Sequence, residues 1–283
     1  MNNYINLILR SIIESITEFL PISSTGHLFL FTSFFPFEGL DDGASFDDLF
    51  DIFIQSGAIL SVLVLYWRFI LDKVKAGLQY ATGGTEKPNG VNFFLTIAIG
   101  SFPVLLIGFL FKSFLDKIKA SDYLLLILGF AWLVGGIAIV VVERLLSSKS
   151  LNENADAVEL SFKQSITIGI FQCLALIPGM SRSAMTIITA RVLGLPKKLA
   201  AEYSFFLAIP VLIAASLYKL YKYRTLLHGD TLYLLTIGFF LTFIFCLFII
   251  KWFLAFIQKN SFSSFGYYRI VLGIIVVAYY FGR

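Results

Sequence analysis

The sequence predicts an all-α integral membrane protein with two inverted-topology repeats, each a re-entrant helix hairpin followed by three transmembrane helices. Three observations support this fold class. Only 14% of the 283 residues are charged and 58% are hydrophobic, whereas a soluble domain carries about 25% charged residues. Several apolar stretches reach the ~20 residues that a helix needs to cross a bilayer. Two further apolar regions are each interrupted in the middle by a polar segment.

The two interrupted regions are the predicted hairpins. Residues 5–36 are broken at PISSTGH, and residues 164–195 are broken at PGMSRS. Neither half of either region is long enough to cross the bilayer. Each region is therefore interpreted as a re-entrant helix pair whose irregular tip must be surrounded by protein or by a wet cavity.

Six uninterrupted spans follow the hairpins, three after each. Their approximate bounds are 52–71, 93–111, 123–142, 203–221, 232–250 and 267–282. Polar segments at 72–90 and 147–163 indicate loops. The start, MNNYINLILRSIIES, has neither a basic n-region nor a small-residue cleavage site, so we expect no cleaved signal peptide. Cys173 and Cys246 lie in apolar segments and are expected to be small buried hydrophobes.

The same order of elements occurs twice in a single membrane domain of residues 1–283, with repeat one at 1–146 and repeat two at 147–283. Short segments of the two halves are similar: LPISST and IPGMSR, KSFLDKI and KWFLAFI, LLILGFAWLVGG and RIVLGIIVV. Because three spans is an odd number, the second repeat must insert upside down. Inverted repeats place their binding site at the repeat interface, near the middle of the membrane.

The basic residues predict the orientation in the membrane. Thirteen Lys and Arg fall on one side of the predicted topology and seven on the other. The side richer in basic residues is expected to face the cytoplasm. The mouth of the first hairpin, both termini and the acidic segment FEGLDDGASFDD would then face outward.

Two carboxylates stand in the first hairpin, where charge is costly. Glu14 and Glu18 are spaced i, i+4, which places them on one helix face. Two close carboxylates favour a shared proton or a bound cation, so the pair suits a general base or a divalent-metal site. The alternative is a pair that bonds backbone groups freed by Pro21. Arg10 continues this face, and we expect it to extend to the membrane interface.

The first tip, PISSTGH, carries Ser23, Ser24, Thr25, Gly26 and His27. Successive N–H groups in such a turn can form an anion-binding nest. A hydroxyl beside His or Glu is the minimal arrangement for an activated oxygen nucleophile. Two alternatives stand beside this interpretation: the hydroxyls cap the second helix of the hairpin, and the histidine is a hydrogen-bonded packing residue.

The second tip, PGMSRSAMT, carries Gly179, Ser181, Arg182, Ser183 and Thr186. Arg182 is a cation at membrane depth, and its planar donor fork suits phosphate or carboxylate. The neighbouring serines and glycine suit a phosphate cradle. The alternative is a structural ion pair between Arg182 and a glutamate of the first hairpin.

Together these residues predict a buried anion site, and phosphoryl chemistry on a lipid-borne group fits it best. A lipid-phosphate flippase is the rival from another class, because paired broken helices in inverted repeats are also transporter architecture. A flippase must grip phosphate but has no use for a Ser–His–Glu group. A proton or metal channel lined by Glu14 and Glu18 is a third interpretation, although no second polar stripe continues such a path.

The whole chain resembles the bacterial undecaprenyl-pyrophosphate phosphatase family, the integral-membrane bacitracin-resistance proteins. The resemblance is concentrated in ESITEFLPISSTGH, FIQSGAILSV, GIFQCLALIPGMSRSAMT and AEYSFFLAIP. The first and third segments match the family's glutamate-rich box and its PGxSRS-type box, whose co-occurrence is specific. Ala184 and Met185 stand where the family pattern has Gly-Ala, which adds bulk near the tip and removes no reactive group.

The resemblance implies hydrolysis of undecaprenyl diphosphate to undecaprenyl phosphate and inorganic phosphate, which recycles the carrier lipid of cell-wall synthesis. It makes Ser24 the candidate nucleophile, His27 the acid/base and Arg182 the essential arginine, and it makes Glu14 and Glu18 the paired acids. The other tip residues are expected to bind the phosphates: Ser23, Thr25, Gly26, Gly179, Ser181, Ser183 and Thr186. Direct attack by a water that Glu18 activates is left open.

We expect a divalent cation, Mg²⁺, to bridge Glu14, Glu18 and the diphosphate. The expected partners are the bilayer and a polyisoprenyl diphosphate lipid, without nucleic acid, and a homo-oligomer is left open. The expected location is the bacterial cytoplasmic (inner) membrane, with the mouth of the active site on the extracytoplasmic side.

Overall fold

The computed structural model describes residues 2–40, 42–83, 89–147 and 160–282, which are helical and contain no strand. The helices are α1 Asn3–Thr17, α2 Ser24–Phe34, α3 Gly43–Phe53, α4 Gln55–Leu65, α5 Trp67–Ala81, α6 Asn89–Leu110, α7 Lys112–Lys119, α8 Leu124–Ser147, α9 Phe162–Gln172, α10 Arg182–Val192, α11 Lys197–Lys222, α12 Gly229–Lys259 and α13 Ser263–Phe281. Short 3₁₀ segments, Cys173–Leu176 and Arg224–Leu226, precede α10 and α12. The all-α prediction is confirmed.

Six spans in the described ranges are long and apolar enough to cross a membrane. Five of them, formed by α6, α8, α11, α12 and α13, coincide with predicted spans and mostly continue a few residues beyond the apolar run into polar sequence. The sixth consists of α3 and α4 together. The chain is a multi-pass helical membrane protein.

The predicted bounds of the first span, 52–71, are wrong at both ends. The span begins at Gly43, inside the acidic segment that the orientation argument places in an outer loop, and it ends at Leu65. Asp42 caps its first turn by accepting a hydrogen bond from the Ser45 amide at 3.2 Å. The sequence of this segment alone indicates an aqueous loop, but two of its aspartates form ion pairs with basic residues that are distant in the sequence.

Arg10 pairs with Asp47 of this segment and with Asp51 just beyond it, and it does not extend to the membrane interface as predicted. Its side chain is fully buried, with Nη2 at 2.6 Å from Asp47 Oδ1 and Nη1 at 3.0 Å from Asp51 Oδ1. Nε donates to Asn6 Oδ1 at 2.7 Å, and Nη2 donates to the Phe35 carbonyl at 3.0 Å. Two carboxylates therefore neutralise one buried arginine, and these ion pairs connect α3, which packs on α11 and α12, to α1.

The segment 72–90, predicted as a loop, is helical in its first half because α5 continues into it. Apolar residues recur there at helical spacing, a pattern typical of an amphipathic helix: Leu71, Val74 and Leu78. α5 packs against α6. Residues 84–88 of this predicted loop, and residues 148–159 of the predicted loop 147–163, lie outside the described residues.

The helices pack in a pattern that relates the two halves of the chain. α8 packs along α13, and α4 packs against α11 and α12; α1 packs on α12, and α9 packs on α6. The largest buried apolar cluster includes Phe19 from the first broken region, Met180 from the second, and Phe205 and Phe253 from the spans. The apolar core therefore surrounds both breaks.

Two basic residues that the orientation argument assigns to cytoplasmic loops lie inside the protein. Arg269 is fully buried within α13, and Arg191 is buried at the end of α10, where its Nε lies 3.4 Å from Glu143 Oε1. These two side chains report internal bonding and not membrane orientation. The orientation itself stays a prediction.

Replacing Arg10 with Leu would leave Asp47 and Asp51 without their cation inside the fold. Because removal of one partner from a buried pair costs about 3–5 kcal/mol, we expect a large drop in the melting temperature of the detergent-solubilised protein. The control is Lys112→Ala, whose pair with Asp116 is solvent-exposed and should contribute little. Equal melting temperatures for Arg10→Leu and wild type would contradict this role.

Candidate active site

The first tip is the turn between α1 and α2. Glu18 ends α1, and Ser23 caps α2 by accepting a hydrogen bond from the Gly26 amide at 3.3 Å. Ser23 has φ +76°, a left-handed value that is uncommon outside glycine. The break lies slightly earlier than PISSTGH indicates, so that Ser24 to His27 form the first turn of α2 and not an irregular loop.

The second tip, between α9 and α10, repeats this arrangement. Ser181 caps α10 by accepting from the Ala184 amide at 3.2 Å, and its φ is +71°. Arg182 and Ser183 are the first residues of α10. The first N–H groups of a helix have no acceptor within it, and a helix N-terminus favours anions. The capping alternative considered for the first tip therefore holds for Ser23, and Ser181 has the same role in the second tip. Both helix starts remain available to an anion.

Glu18 joins the two tips. Its Oε2 accepts a hydrogen bond from Ser24 Oγ at 2.5 Å, and its Oε1 lies 3.0 Å from Arg182 Nη2. The side chains of Glu18 and Arg182 are only 6% and 11% exposed, so water screens the pair weakly. The ion pair considered as the alternative role of Arg182 does exist, and it adjoins a serine hydroxyl whose proton the carboxylate is placed to take.

α11 supplies a second set of contacts to Arg182. Its Nη1 donates to the Ser204 carbonyl at 2.7 Å, and Thr186 Oγ1 lies 2.7 Å from Ser204 Oγ. Ser204 is fully buried and is not among the predicted site residues; a hydroxyl within the apolar AEYSFFLAIP is the one signal that pointed to it. The Arg182 Nε is buried without a hydrogen-bond partner among the described residues, which leaves a donor for an anion.

His27 is hydrogen-bonded away from Ser24. Its Nδ1 lies 2.7 Å from the Ser23 carbonyl oxygen, and its Nε2 lies 2.7 Å from the Tyr268 hydroxyl. Because a carbonyl only accepts, Nδ1 carries a hydrogen, so that in the neutral form of the ring Nε2 is the acceptor for the Tyr268 hydroxyl. The rings of Tyr268 and His27 stack with centroids 5.7 Å apart. This geometry pairs Ser24 with Glu18 and not with His27, and it adds Tyr268, which is not among the predicted residues.

Glu14 lies one helical turn before Glu18 and is fully buried. Neither of its carboxyl oxygens has a hydrogen-bond partner by geometry within the described ranges, and a carboxyl group buried beside a second one needs a proton or a cation. Mg²⁺ is commonly bound by one or two carboxylates plus substrate phosphates, so Glu14 and Glu18 fit such an ion. The described part of the chain holds no group of three or more His, Cys, Asp and Glu side chains suited to a metal.

Three other predicted site residues, Ser183, Gly26 and Gly179, have structural roles in the tips. Ser183 Oγ donates to the Leu20 carbonyl at 2.8 Å and so ties the second tip to the first. Gly26 lies against Trp132, whose Cζ2 would stand 2.5 Å from a Cβ at that position. Gly179 has φ +94°, which glycine adopts without a steric penalty. Close packing and backbone shape explain both glycines.

A cavity of about 320 Å³ opens beside the tips. Thr25 of the first tip and Pro178 of the second line it, together with Lys119 at the end of α7. Leu28 and Phe29 of α2 contribute apolar wall, and the acidic face of α3 contributes carboxylates. An amphipathic cavity of this size, reaching both tips, has the character of a small-molecule site.

Comparison with known proteins identifies the family. The family described as bacitracin resistance protein BacA matches residues 7–275, which include both tips. The chain belongs to the bacitracin resistance protein BacA family. This result agrees with the resemblance found in the two sequence boxes.

Curated relatives match the chain over nearly its whole length. An undecaprenyl-diphosphatase of Leptospira interrogans is 55% identical over 277 residues, which is 98% of each chain. One from Leptospira biflexa is 52% identical over 281 residues, 99% of each chain. One from Bdellovibrio bacteriovorus is 36% identical over 276 residues, 97% of this chain and 95% of the relative. The similarity to these relatives therefore covers nearly the whole chain.

Proposed function

We propose that this protein hydrolyses undecaprenyl diphosphate to undecaprenyl phosphate and inorganic phosphate. The hydrogen-bonded group Ser24–Glu18–Arg182 carries the proposal, because it brings a hydroxyl, a carboxylate and a guanidinium together where the two tips meet. The names of the BacA-family relatives support the substrate. The reaction recycles the carrier lipid of cell-wall synthesis and confers the bacitracin resistance that the family name describes.

In the proposed reaction, Ser24 Oγ attacks the terminal phosphorus and its proton passes to Glu18 Oε2. The bond from that phosphorus to the bridging oxygen breaks, and undecaprenyl phosphate leaves with the bridging oxygen. Water then attacks the seryl phosphate, the Oγ–phosphorus bond breaks, Ser24 regains a proton, and inorganic phosphate leaves. Arg182 and the first N–H groups of α2 and α10 stabilise the charge on the transferring phosphoryl oxygens.

His27 serves the leaving group in this scheme. The Ser23 carbonyl occupies its Nδ1, so Nε2 is the ring atom that gains and loses a proton. A protonated His27 would donate to the departing oxygen as a general acid. The Tyr268 hydroxyl lies 2.7 Å from Nε2 and fixes the orientation of the ring.

A divalent cation, Mg²⁺, belongs to the proposal. Glu14 and Glu18 would hold it, and the unpartnered oxygens of Glu14 support that assignment. When bound, such an ion supplies positive charge to the diphosphate oxygens. The roles of Ser24, His27 and Arg182 above follow from their own contacts.

We also propose that the chain consists of two inverted repeats, 1–146 and 147–283, with α1–α2 and α9–α10 as re-entrant hairpins. The packing of α1 on α12 has its counterpart in the packing of α9 on α6, and α8 packs against its own counterpart α13. Ser23 and Ser181 share a left-handed backbone and a capping role at corresponding points. Inverted repeats of this kind bind substrate at their interface.

The proposed location is the bacterial cytoplasmic membrane, with the mouth of the site on the extracytoplasmic side. The excess of basic residues on the opposite side of the topology supports this orientation. The proposed partners are the bilayer and a polyisoprenyl diphosphate lipid.

Removing the attacking oxygen should abolish turnover while headgroup binding persists. For Ser24→Ala we expect phosphate release from undecaprenyl diphosphate to fall by at least ~10³-fold, because the lost contact exists chiefly in the transition state. Glu18→Gln should behave similarly, because the amide takes no proton. Lipid binding and phosphate release are measured side by side, with Ser33→Ala on the exposed face of α2 as the control.

Full phosphate release by Ser24→Ala would refute the seryl nucleophile and leave water, activated by Glu18, as the attacking group. An absence of phosphate release by the wild type, with lipid movement across vesicles instead, would favour the flippase alternative.

Arg182→Lys keeps the charge but loses the planar fork that spans Glu18 and Ser204. We expect kcat to fall by at least ~10²-fold, the scale seen when one electrostatic donor is removed from a transition state. The measurement is kcat with the melting temperature of the same sample, and Arg224→Lys, on an exposed turn, is the control. Near-normal turnover in Arg182→Lys would restrict this arginine to a structural role.

Single cysteines test the orientation. In a background with Cys173→Ser and Cys246→Ser, we expect Asp42→Cys and Lys198→Cys to react from opposite faces of the membrane, because each exposed side chain starts the first span of its own repeat. Asp42→Cys should label with an impermeant thiol reagent added outside intact cells. Labelling of both positions from one face would contradict the inverted repeats.

A further inference from the structure

Arg269 of α13 is a buried cation whose bonds are all to backbone carbonyls. Its Nη1 donates to the carbonyls of Pro21 at 3.2 Å and Met180 at 3.0 Å. Its Nη2 donates to the carbonyls of Ala131 and Gly179, both at 3.0 Å. The side chain is fully buried, and no Asp or Glu within the described ranges forms an ion pair with it.

Three of these four acceptors come from the two tips. Pro21 lies in the first tip, three residues before Ser24, and Gly179 and Met180 lie in the second tip, just before Arg182. A single guanidinium therefore touches the backbone of each tip, while α8 supplies the fourth acceptor. Charged residues at membrane depth are costly and are functional candidates by default, and the fixed fork of arginine suits several acceptors at once.

We propose that Arg269 is a positioning residue that sets the distance between the Ser24 hydroxyl and the Arg182 guanidinium. The inference rests on the proposed phosphatase function and assigns to it a residue outside both sequence boxes. In the reaction, one tip supplies the nucleophile and the other supplies the phosphate clamp. Misplacement of reacting groups by about 1 Å costs ~10²-fold in rate. The Arg269 hydrogen bonds that hold the two tip backbones together should therefore affect kcat.

A substitution at Gly135 on α8 is a second way to disturb the hydrogen bonds between Arg269 and the two tips. A Cβ at this position would stand 2.7 Å from Arg269 Cζ, which is closer than real contacts allow. Gly135→Ala therefore displaces the guanidinium and keeps its charge. Gly129→Ala is the matched control, because its Cβ would meet Val277 Cγ2 at 2.6 Å in the same α8–α13 contact without reaching Arg269.

The experiment measures kcat, KM and melting temperature in detergent, with undecaprenyl diphosphate as substrate, and the affinity for a non-hydrolysable methylene diphosphonate analogue of the lipid. For Arg269→Lys we expect a loss in kcat of at least ~10-fold and as much as ~10²-fold, with analogue affinity within about threefold because Arg182 and the helix starts still bind the headgroup. Gly135→Ala should show the same split. Gly129→Ala should lower the melting temperature by a similar amount and retain kcat.

Retention of wild-type kcat by Gly135→Ala, or an equal kcat loss in Gly129→Ala and Gly135→Ala at equal melting temperature, would overturn the positioning role. If Arg269→Lys does not fold, the comparison of the two glycine variants decides the question. The wild-type measurement separates the two levels of the argument: a wild type that releases no phosphate refutes the proposed function, whereas an active wild type with an active Gly135→Ala refutes only the role of Arg269.

Discussion

The ion pair between Glu18 and Arg182 is the interaction on which the arrangement of the candidate site depends. Its partners are 164 residues apart in the chain and belong to different tips. A buried charge that loses its partner is strongly destabilising, so the two tips are energetically constrained to stay together. The same carboxylate holds the Ser24 hydroxyl through its other oxygen, so that one side chain orients the candidate nucleophile and anchors the candidate phosphate clamp.

Arg10, Arg182 and Arg269 differ in how the surrounding groups compensate their charge. Arg10 forms ion pairs with two carboxylates, which suits a purely structural link between α1 and α3. Arg182 is paired with one carboxylate and is the one of the three whose side chain is partly exposed, at 11%, which suits a group that must still receive an anion. Arg269 has carbonyl dipoles only. The partners of each arginine matter for stability, because an uncompensated charge costs much more free energy in a low-dielectric interior than in water.

The left-handed backbone of Ser23 and Ser181 explains how each tip brings the N-terminus of the following helix close to the other tip. Left-handed backbone at a residue other than glycine costs about 1–3 kcal/mol and persists only where surrounding contacts hold it. Ser23 and Ser181 are held by capping bonds to the amides of Gly26 and Ala184. The turn lets the chain reverse within a few residues at each tip, so the first residue of each following helix, Ser24 or Arg182, contacts Glu18.

Composition and local pattern determined the membrane class, five of the six spans, the two breaks and the clustering of reactive side chain types at the tips, because these properties depend on neighbours in sequence. Only the tertiary structure decided which groups are partners. Asp47 of the acidic segment pairs with Arg10 of α1, His27 is hydrogen-bonded to Tyr268, 241 residues away, and Arg269 donates to the Pro21 carbonyl, 248 residues away. Such pairings depend on helix packing and side-chain direction, so a local window of sequence carries no record of them.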